Sequence, residues 1–351
     1  MSACLVCLRP LDGEGDYHPR CARRLFGTAR PPLAVDIELA KLHTVGLAMV
    51  GRTSLSGVQR KISVNLSSDK QTLQVALGRS QYILKPQSAA YPELPQNELL
   101  TMRLAEVFGV EIPNCGLIHL ADHSLAYLVR RFDRPPEGGK LRQEDFCQLA
   151  VKPAKEKYDG SAELCAKLVK RYASEPLIEL LKLFRLVVVS WLTGNGDMHL
   201  KNFSLLAGPD NTYQLSPAYD LVCTRLVIPD DPLALPVAGK QDHLKRADWV
   251  QYGQYCGLRP RVIERVLGEM AGALGDTQGR RRVVLCQQSW PRNCARPCCG
   301  FPATSRPRIS PNGHFGRWQD ALPSLQDGLA RPDFAVVHSS RWSPPFVSTP
   351  S

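Results

Sequence analysis

Residues 175–194, "EPLIELLKLFRLVVVSWLTG", are apolar on nearly every helical face. A helix with one apolar stripe can lie on a surface, but one that is apolar all round has to be enclosed by the rest of the chain. The stretch therefore predicts a central buried helix, opened by Pro176 near its first turn and stopped at Gly194. Directly behind it, in "GNGDMHLKNFSLL", come Asp197, His199, Lys201 and Asn202. A chain that ends its most buried helix in four polar side chains fixes those groups on a rigid support.

The flanking sequence predicts an unequal pair of lobes. Before the helix, "KISVNL", "TLQVAL" and "QYILKP" alternate apolar and polar residues around the polar turn "SSDKQ", an antiparallel meander. A helix follows in "LPQNELLTMRLAEVFG", stopped at Gly109, and then two strands in "CGLIHLADHSLAYLVRRFDR". "LAVDIELAKLHTVGLAMV" reads as an amphipathic helix or helix-turn, and "TSLSGVQRK" as a small-residue polar loop. After the buried helix, "NFSLL" and "TYQLS" flank the turn residues "AGPDN" as a hairpin. The expected fold class is α+β, with a β-rich lobe over 33–135 and a helical lobe over 136–278.

With 351 residues and 44% apolar content, the chain can bury a large core. No run of about 18 apolar residues predicts a membrane span. The opening "MSACLVCLRPLDGEGD" lacks a basic segment followed by an apolar one, so the expected location is cytoplasmic, which argues against a disulfide framework. Net charge is +11, but residues 279–351 carry ten Arg against three Asp, leaving +4 for the body. That gives little support for a nucleic-acid-binding face on the body. The same tail holds no Lys and no Glu, yet ten of the 28 Pro. It reads as an out-of-frame stretch or as a disordered basic tail.

The chemistry sits around the buried helix's end. Asp197 and Asn202 are separated by four residues in "DMHLKN", and Asp220 follows across the predicted hairpin. A hairpin returns the chain to its start, so two carboxylates and an amide oxygen can share one cleft. Such ligands suit Mg²⁺ together with substrate phosphates. This is also the division of labour of kinase phosphoryl transfer, where Asp-x4-Asn precedes a metal-binding Asp. Lys85, at the end of the third strand, can hold nucleotide phosphates, and Glu98 on the next helix can fix it; the order matches the strand-lysine and helix-glutamate pair of kinases. Each of these residues alone is an ordinary turn or strand residue; their order is the signal.

Taken together, "SLSGVQRK", "YILKP", "NELLTMRLA", "VRRFDR", "QED", "GNGDMHLKNFSLL" and "LSPAYDL" resemble the HipA family of serine/threonine kinases, toxins of type II toxin–antitoxin systems. The resemblance covers roughly residues 50–275 and is nearest the short HipT-like branch. It implies a two-lobed protein-kinase-like fold of the HipA and phosphoinositide-kinase-like kind, with ATP and Mg²⁺ as cofactors. It makes Asp197 the proton acceptor and Asn202 and Asp220 the Mg²⁺ ligands. ATP binding would fall to Ser56, Gly57, Val58, Gln59, Lys61, Lys85, Glu98, Arg131, Phe132, His199 and Lys201, and regulatory autophosphorylation to Ser54 and Ser56. The implied substrate is a serine on an aminoacyl-tRNA synthetase. The implied partners are a helix-turn-helix antitoxin (HipB-like), through which alone DNA would be contacted, and a small HipS-like protein; no membrane is involved. Gln143, Glu144 and Asp145 keep the family's "QED", whereas the helical end departs from the pattern after about residue 278.

Outside that pattern, "CLVCLRPLDGEGDYHPRC" spaces Cys4, Cys7, His18 and Cys21 as a tetrahedral Zn²⁺ site would need. The expectation is a closed structural zinc knuckle in residues 1–28, capping the first lobe; the bland alternative is a buried turn with reduced cysteines. Two rival functions remain at this stage: a catalytically silent module that sequesters antitoxin or nucleic acid, and a small-molecule or lipid kinase of the same superfamily. The presence of both Asp197 and Asp220 speaks against the silent module.

Overall fold

The computed structural model describes residues 3–31, 34–35, 60–76, 78–88, 91, 93–135, 138–208, 210–228 and 230–287, without the side chains of 34 and 274–287. The loop serines Ser54 and Ser56, with Gly57, Val58 and Gln59, lie outside the described residues, as does the tail from 288 on.

The chain opens with the short helix α1 (Pro19–Phe26) and the two-residue strand β1 (Ala34–Val35). Strands β2 (Ile62–Leu66), β3 (Leu73–Val75) and β4 (Tyr82–Pro86) form the meander, and helix α2 (Leu94–Val107) leads to β5 (Cys115–Leu120) and β6 (Leu125–Arg130). These strands make one six-stranded sheet in the order β1-β5-β6-β4-β2-β3. Only β1 pairs parallel, with β5; the other pairings are antiparallel. Residues 34–35, expected as helix, are thus a strand: Val35 fills the sheet's core while its backbone completes the β5 edge. The rest of that expected helix lies outside the described residues.

One sheet face packs Val64, Leu84, Ile118, Ala126 and Leu128 against the N-terminal module, whose Val6, Leu25 and Phe26 reach in from above. Gly116 in β5 is required by that approach: a Cβ there would lie 2.8 Å from Val6 Cγ2 and 3.0 Å from the Leu5 carbonyl oxygen. On the other face α2 runs beside β5 and β6 and joins the larger core.

The second lobe holds β7 (Gln143–Asp145), α3 (Phe146–Leu149), α4 (Ala162–Tyr172), α5 (Pro176–Leu192), the hairpin β8 (Ser204–Ala207) and β9 (Tyr213–Leu215), α6 (Arg246–Tyr255) and α7 (Pro260–Gln287). The hairpin gains β7 as a third antiparallel strand. β7 begins the α3 helix through Asp145, whose carboxylate accepts from the Gln148 N–H at 2.9 Å while Gln148 Oε1 accepts from the Asp145 N–H at 2.9 Å. This reciprocal cap satisfies two backbone donors at once. The last helix differs from expectation too. It runs past residue 278 to Gln287, because "GRRRVVLCQ" contains helix-compatible residues and no proline to stop it.

α5 is the predicted central helix, buried from Glu179 onward apart from the half-buried Leu181, Lys182 and Arg185, with Leu177 and Ile178 of its first turn exposed. Its end is set by backbone geometry. Gly194 takes the left-handed region at φ 66°, its N–H bonds the Trp191 carbonyl at 3.1 Å, and the Asn195 N–H bonds the Ser190 carbonyl at 2.8 Å. This paired closure satisfies carbonyls that a helix end otherwise leaves open.

Candidate active site

Two lysines enter the cleft side by side. Ile62 of β2 faces Leu84 of β4 in antiparallel register, so Lys61 and Lys85, each one residue further, are cross-strand neighbours. Like charges directly opposite each other are unfavourable, and here a carboxylate from the second lobe lies between them. Asp220 Oδ2 accepts from Lys61 Nζ at 2.7 Å, and its Oδ1 accepts from Lys85 Nζ. Lys85 also donates to Glu98 Oε1 of α2 at 2.5 Å. Both side chains of the Lys85–Glu98 pair are almost wholly buried. Burial works against the Lys85 ammonium, but Asp220 and Glu98 overcome it and hold its pKa above the usual lysine value. Burial likewise opposes the Asp220 charge, and Lys61 and Lys85 still draw its carboxyl well below the ordinary range. Glu98 goes the other way: burial outweighs its ion pair and raises its pKa, and its second oxygen has no hydrogen-bond partner.

Asp220 itself has φ 56°, the left-handed region that non-glycine residues enter at a cost and that Asp and Asn tolerate best. Asn97 of α2 fixes the loop beyond it. Its Nδ2 donates to the Cys223 carbonyl at 3.0 Å, and its Oδ1 accepts from the Cys223 N–H at 2.9 Å.

The segment after α5 carries the remaining groups. Asp197 is half exposed and accepts from the Tyr158 hydroxyl at 2.6 Å, with His199 Nε2 4.0 Å away. The Tyr158 ring meets His199 edge-on at 5.1 Å. Burial, and then the charge of Asp197, push the Tyr158 pKa up, so the phenol stays a donor. Burial lowers the His199 pKa, which keeps the ring neutral at pH 7. Asn202 is buried and donates Nδ2 to the Asp197 carbonyl at 2.8 Å, which leaves its amide oxygen available. The Tyr219 hydroxyl donates to the Lys201 carbonyl at 2.9 Å, which ties the residue before Asp220 to the residue before Asn202. The Asn202 amide oxygen and the Asp220 and Asp197 carboxylates are donors of the kind that could hold Mg²⁺ together with phosphate oxygens.

Three expected ligands have partners within the protein. Arg131 forks onto Asp133 at 2.9 and 2.8 Å. Phe132 lies against Tyr219 at 5.9 Å between ring centres. Lys201 is paired with Asp145 at 2.7 Å. Tyr158 and Asn97 are contributors that the sequence reading did not single out, and Asp145 was read there only as part of the "QED" motif. Their partners lie 39, 126 and 56 residues away, so no local pattern marks them.

The N-terminal module brings together Cys4, Cys7, His18 and Cys21. One ligand atom from each lies within 4.8 Å of all the others. His18 Nδ1 is 3.4 Å from Cys7 Sγ and 4.0 Å from Cys21 Sγ. The Cys4 thiol is drawn down to about 4, first by the Cys7 thiol beside it and then by backbone N–H groups, against the effect of burial.

A family model described as "HipA-like C-terminal domain" matches residues 53–277. The Sinorhizobium fredii protein named "Putative kinase Y4dM" is 35% identical over 232 residues, 62% of this chain and 53% of that protein. Another from the same organism, "Putative kinase Y4mE", is 29% identical over 241 residues, 65% of this chain and 57% of that one. The serine/threonine-protein kinase toxin HipA of Shewanella oneidensis is 30% identical over 195 residues, 49% of this chain and 43% of the toxin. The chain therefore spans about half the length of these curated relatives. Among solved structures, the Shewanella oneidensis MR-1 HipA, HipB and operator DNA complex aligns with a TM-score of 0.60 at 20% identity, covering 84% of this chain and 71% of that one. That likeness is one of fold. Among the described residues, no helix is long and apolar enough to cross a membrane.

Proposed function

The chain belongs to the HipA-like C-terminal domain family, and from that premise we propose that it is an ATP- and Mg²⁺-dependent kinase that phosphorylates a protein serine or threonine. The observation that carries this reading is the buried ammonium of Lys85, held between Glu98 of the first lobe and Asp220 of the second. A cation fixed in this way at a cleft between two lobes is suited to nucleotide phosphates, and a structural ion pair alone would need no second carboxylate from across the cleft. Asn202 and Asp220 would hold Mg²⁺, which supplies charge neutralisation at the phosphates. Lys61, now on Asp220, is placed to exchange that carboxylate for a phosphate oxygen. Asp197, half exposed and steadied by Tyr158, accepts the proton of the attacking hydroxyl. His199, buried and neutral, packs Tyr158 in place.

The substrate in this reading is a serine on an aminoacyl-tRNA synthetase, and the controlling partner is a HipB-like antitoxin, with a HipS-like protein as a further partner. Ser54 and Ser56 are the serines for self-modification. A phosphate there would repel the nucleotide phosphates and disfavour a loop closed over ATP, so self-modification lowers activity. The test is phosphosite mapping after incubation with ATP and Mg²⁺, beside an Asp197→Asn chain. Phosphate on Ser54 or Ser56 in the parent alone supports the proposal; no phosphate on the parent or on an added synthetase counts against it.

A further inference from the structure

We propose that Cys4, Cys7, His18 and Cys21 bind one Zn²⁺ in a closed site of three sulfurs and one nitrogen, and that this centre holds helix α2, with Glu98 on it, in place. The donor chemistry is the starting point. Thiolate and imidazole ligands at about 2.3 and 2.0–2.1 Å from Zn²⁺ place neighbouring ligand atoms roughly 3.5–3.8 Å apart in a tetrahedron. The Cys7–His18 and Cys21–His18 separations of 3.4 and 4.0 Å lie on either side of that spacing. Four protein ligands leave no position open, which marks a structural site rather than a catalytic one.

The histidine is oriented for the role. His18 Nε2 lies 2.9 Å from the Pro10 carbonyl oxygen. A carbonyl only accepts, so Nε2 carries a proton, and in the neutral ring Nδ1 presents its lone pair to the sulfurs. His18 is also the N-cap of α1, yet its side chain makes no capping bond to the helix; it turns to the cluster instead. The His18 backbone N–H donates to Cys4 Sγ at 3.4 Å, a contact suited to a thiolate. Metal binding displaces the protons that the thiols still carry and leaves the sulfurs unoxidised. A disulfide would use two of the three and strand the third beside the imidazole.

The consequence lies in the two residues between Cys4 and Cys7. The Leu5 carbonyl accepts from the Leu117 N–H of β5 at 2.7 Å. The Val6 carbonyl accepts from Arg103 Nε at 2.7 Å, and the same guanidinium donates to the Cys115 carbonyl at 2.7 Å. The turn that the metal would clamp therefore presents the acceptors that dock the module on β5 and α2. Arg103 and Glu98 share α2, so the clamp reaches the helix that steadies Lys85. An eight-residue α1 with so small a module has little means of fixing itself.

The test uses the full chain, expressed without added metal and purified without chelator. Elemental analysis is expected to give one zinc per chain. Exchange into Co²⁺ is expected to give the visible bands of a tetrahedral ion and near-ultraviolet thiolate charge transfer. Cys21→Ser is expected to lose both, and Cys115→Ser, a buried cysteine outside the cluster, to keep them. A zinc-free parent without a Co²⁺ spectrum overturns the site, whatever the variants do. For the second half, zinc is removed and amide exchange is followed. Loss of protection in α2 while α5 keeps its own is the expected result; unchanged α2, or equal loss in both helices, overturns the coupling. Neither readout passes through phosphoryl transfer, so this proposal and the kinase reading fail separately.

Discussion

The Tyr158 hydroxyl donates to Asp197 Oδ1 at 2.6 Å, so one acceptor of the half-exposed carboxylate is already taken and its orientation fixed. Tyr158→Phe keeps the ring against His199 and removes only this bond. A hydrogen bond to a charged group is worth about 1.5–3 kcal/mol, so a fall in phosphorylation rate of roughly ten- to a hundredfold is expected from loss of positioning. Asp197→Asn, which removes the proposed proton acceptor, is expected to lose about 10²- to 10⁴-fold. Single-turnover rates on the two variants separate the roles; a Phe variant as fast as the parent would show the hydroxyl to be dispensable.

Lys85→Met leaves Glu98 and Asp220 without their shared buried partner. Breaking a buried pair from one side costs about 3–5 kcal/mol, so the urea midpoint is expected to fall sharply and ATP binding to be lost. A variant of unchanged stability would mean that the two carboxylates simply take up protons.

The pH dependence follows from Asp220. Lys61 and Lys85 hold its folded pKa below the unfolded value of about 3.9. Its contribution to stability is therefore complete above about pH 4 and is lost as pH falls through the folded value. Glu98 acts in the opposite sense: the cost of its buried charge is present at neutral pH and is relieved as acid protonates it. The parent is expected to lose stability on acidification more steeply than Asp220→Asn. Urea melts taken from about pH 6 to about pH 3 give the comparison; equal slopes would detach Asp220 from the acid limb.

Gly116→Ala puts a methyl group into the contact with Val6, Leu25 and the Leu5 carbonyl. Overpacking of this kind costs about 1–3 kcal/mol, and the thermal midpoint should drop accordingly. A neutral substitution would mean that the N-terminal module lifts away freely.

Asn97→Ala opens both bonds to the Cys223 backbone. Each buried group left unpaired costs about 1–3 kcal/mol, and the Asp220 loop loses its tether to α2. Asn97→Asp keeps the acceptor and loses the donor, so it should recover part of the loss. Equal damage from both variants would place the weight of the contact on the amide donor alone.

What could be read from the sequence was what repeats locally. The apolar run at 176–192 could only be an enclosed helix, and alternation marked β2, β3 and β4. The gathering of Lys85, Glu98 and Asp220 was foreseeable because a strand, a helix and a hairpin each return the chain to one place. β7 escaped because three polar residues, "QED", carry no alternation and become a strand only when β8 offers its edge. Residues 34–35 read as the start of a helix because a two-residue strand is shorter than any periodic signal. Tyr158 escaped because "EKYDG" looks like an ordinary turn, and its partner is set by where α5 ends.

The contacts from Asp220 to Lys85 and Lys61 span 135 and 159 residues of chain. Closing loops of that length is entropically unfavourable until the segments at both ends are already ordered. Contacts so distant in sequence form slowly, after the local sheet and helices have collapsed. On the ribosome they cannot form at all until residue 220 has emerged. The order of folding thus acts as a safety catch: a truncated or half-folded chain holds its lysines and its aspartate apart.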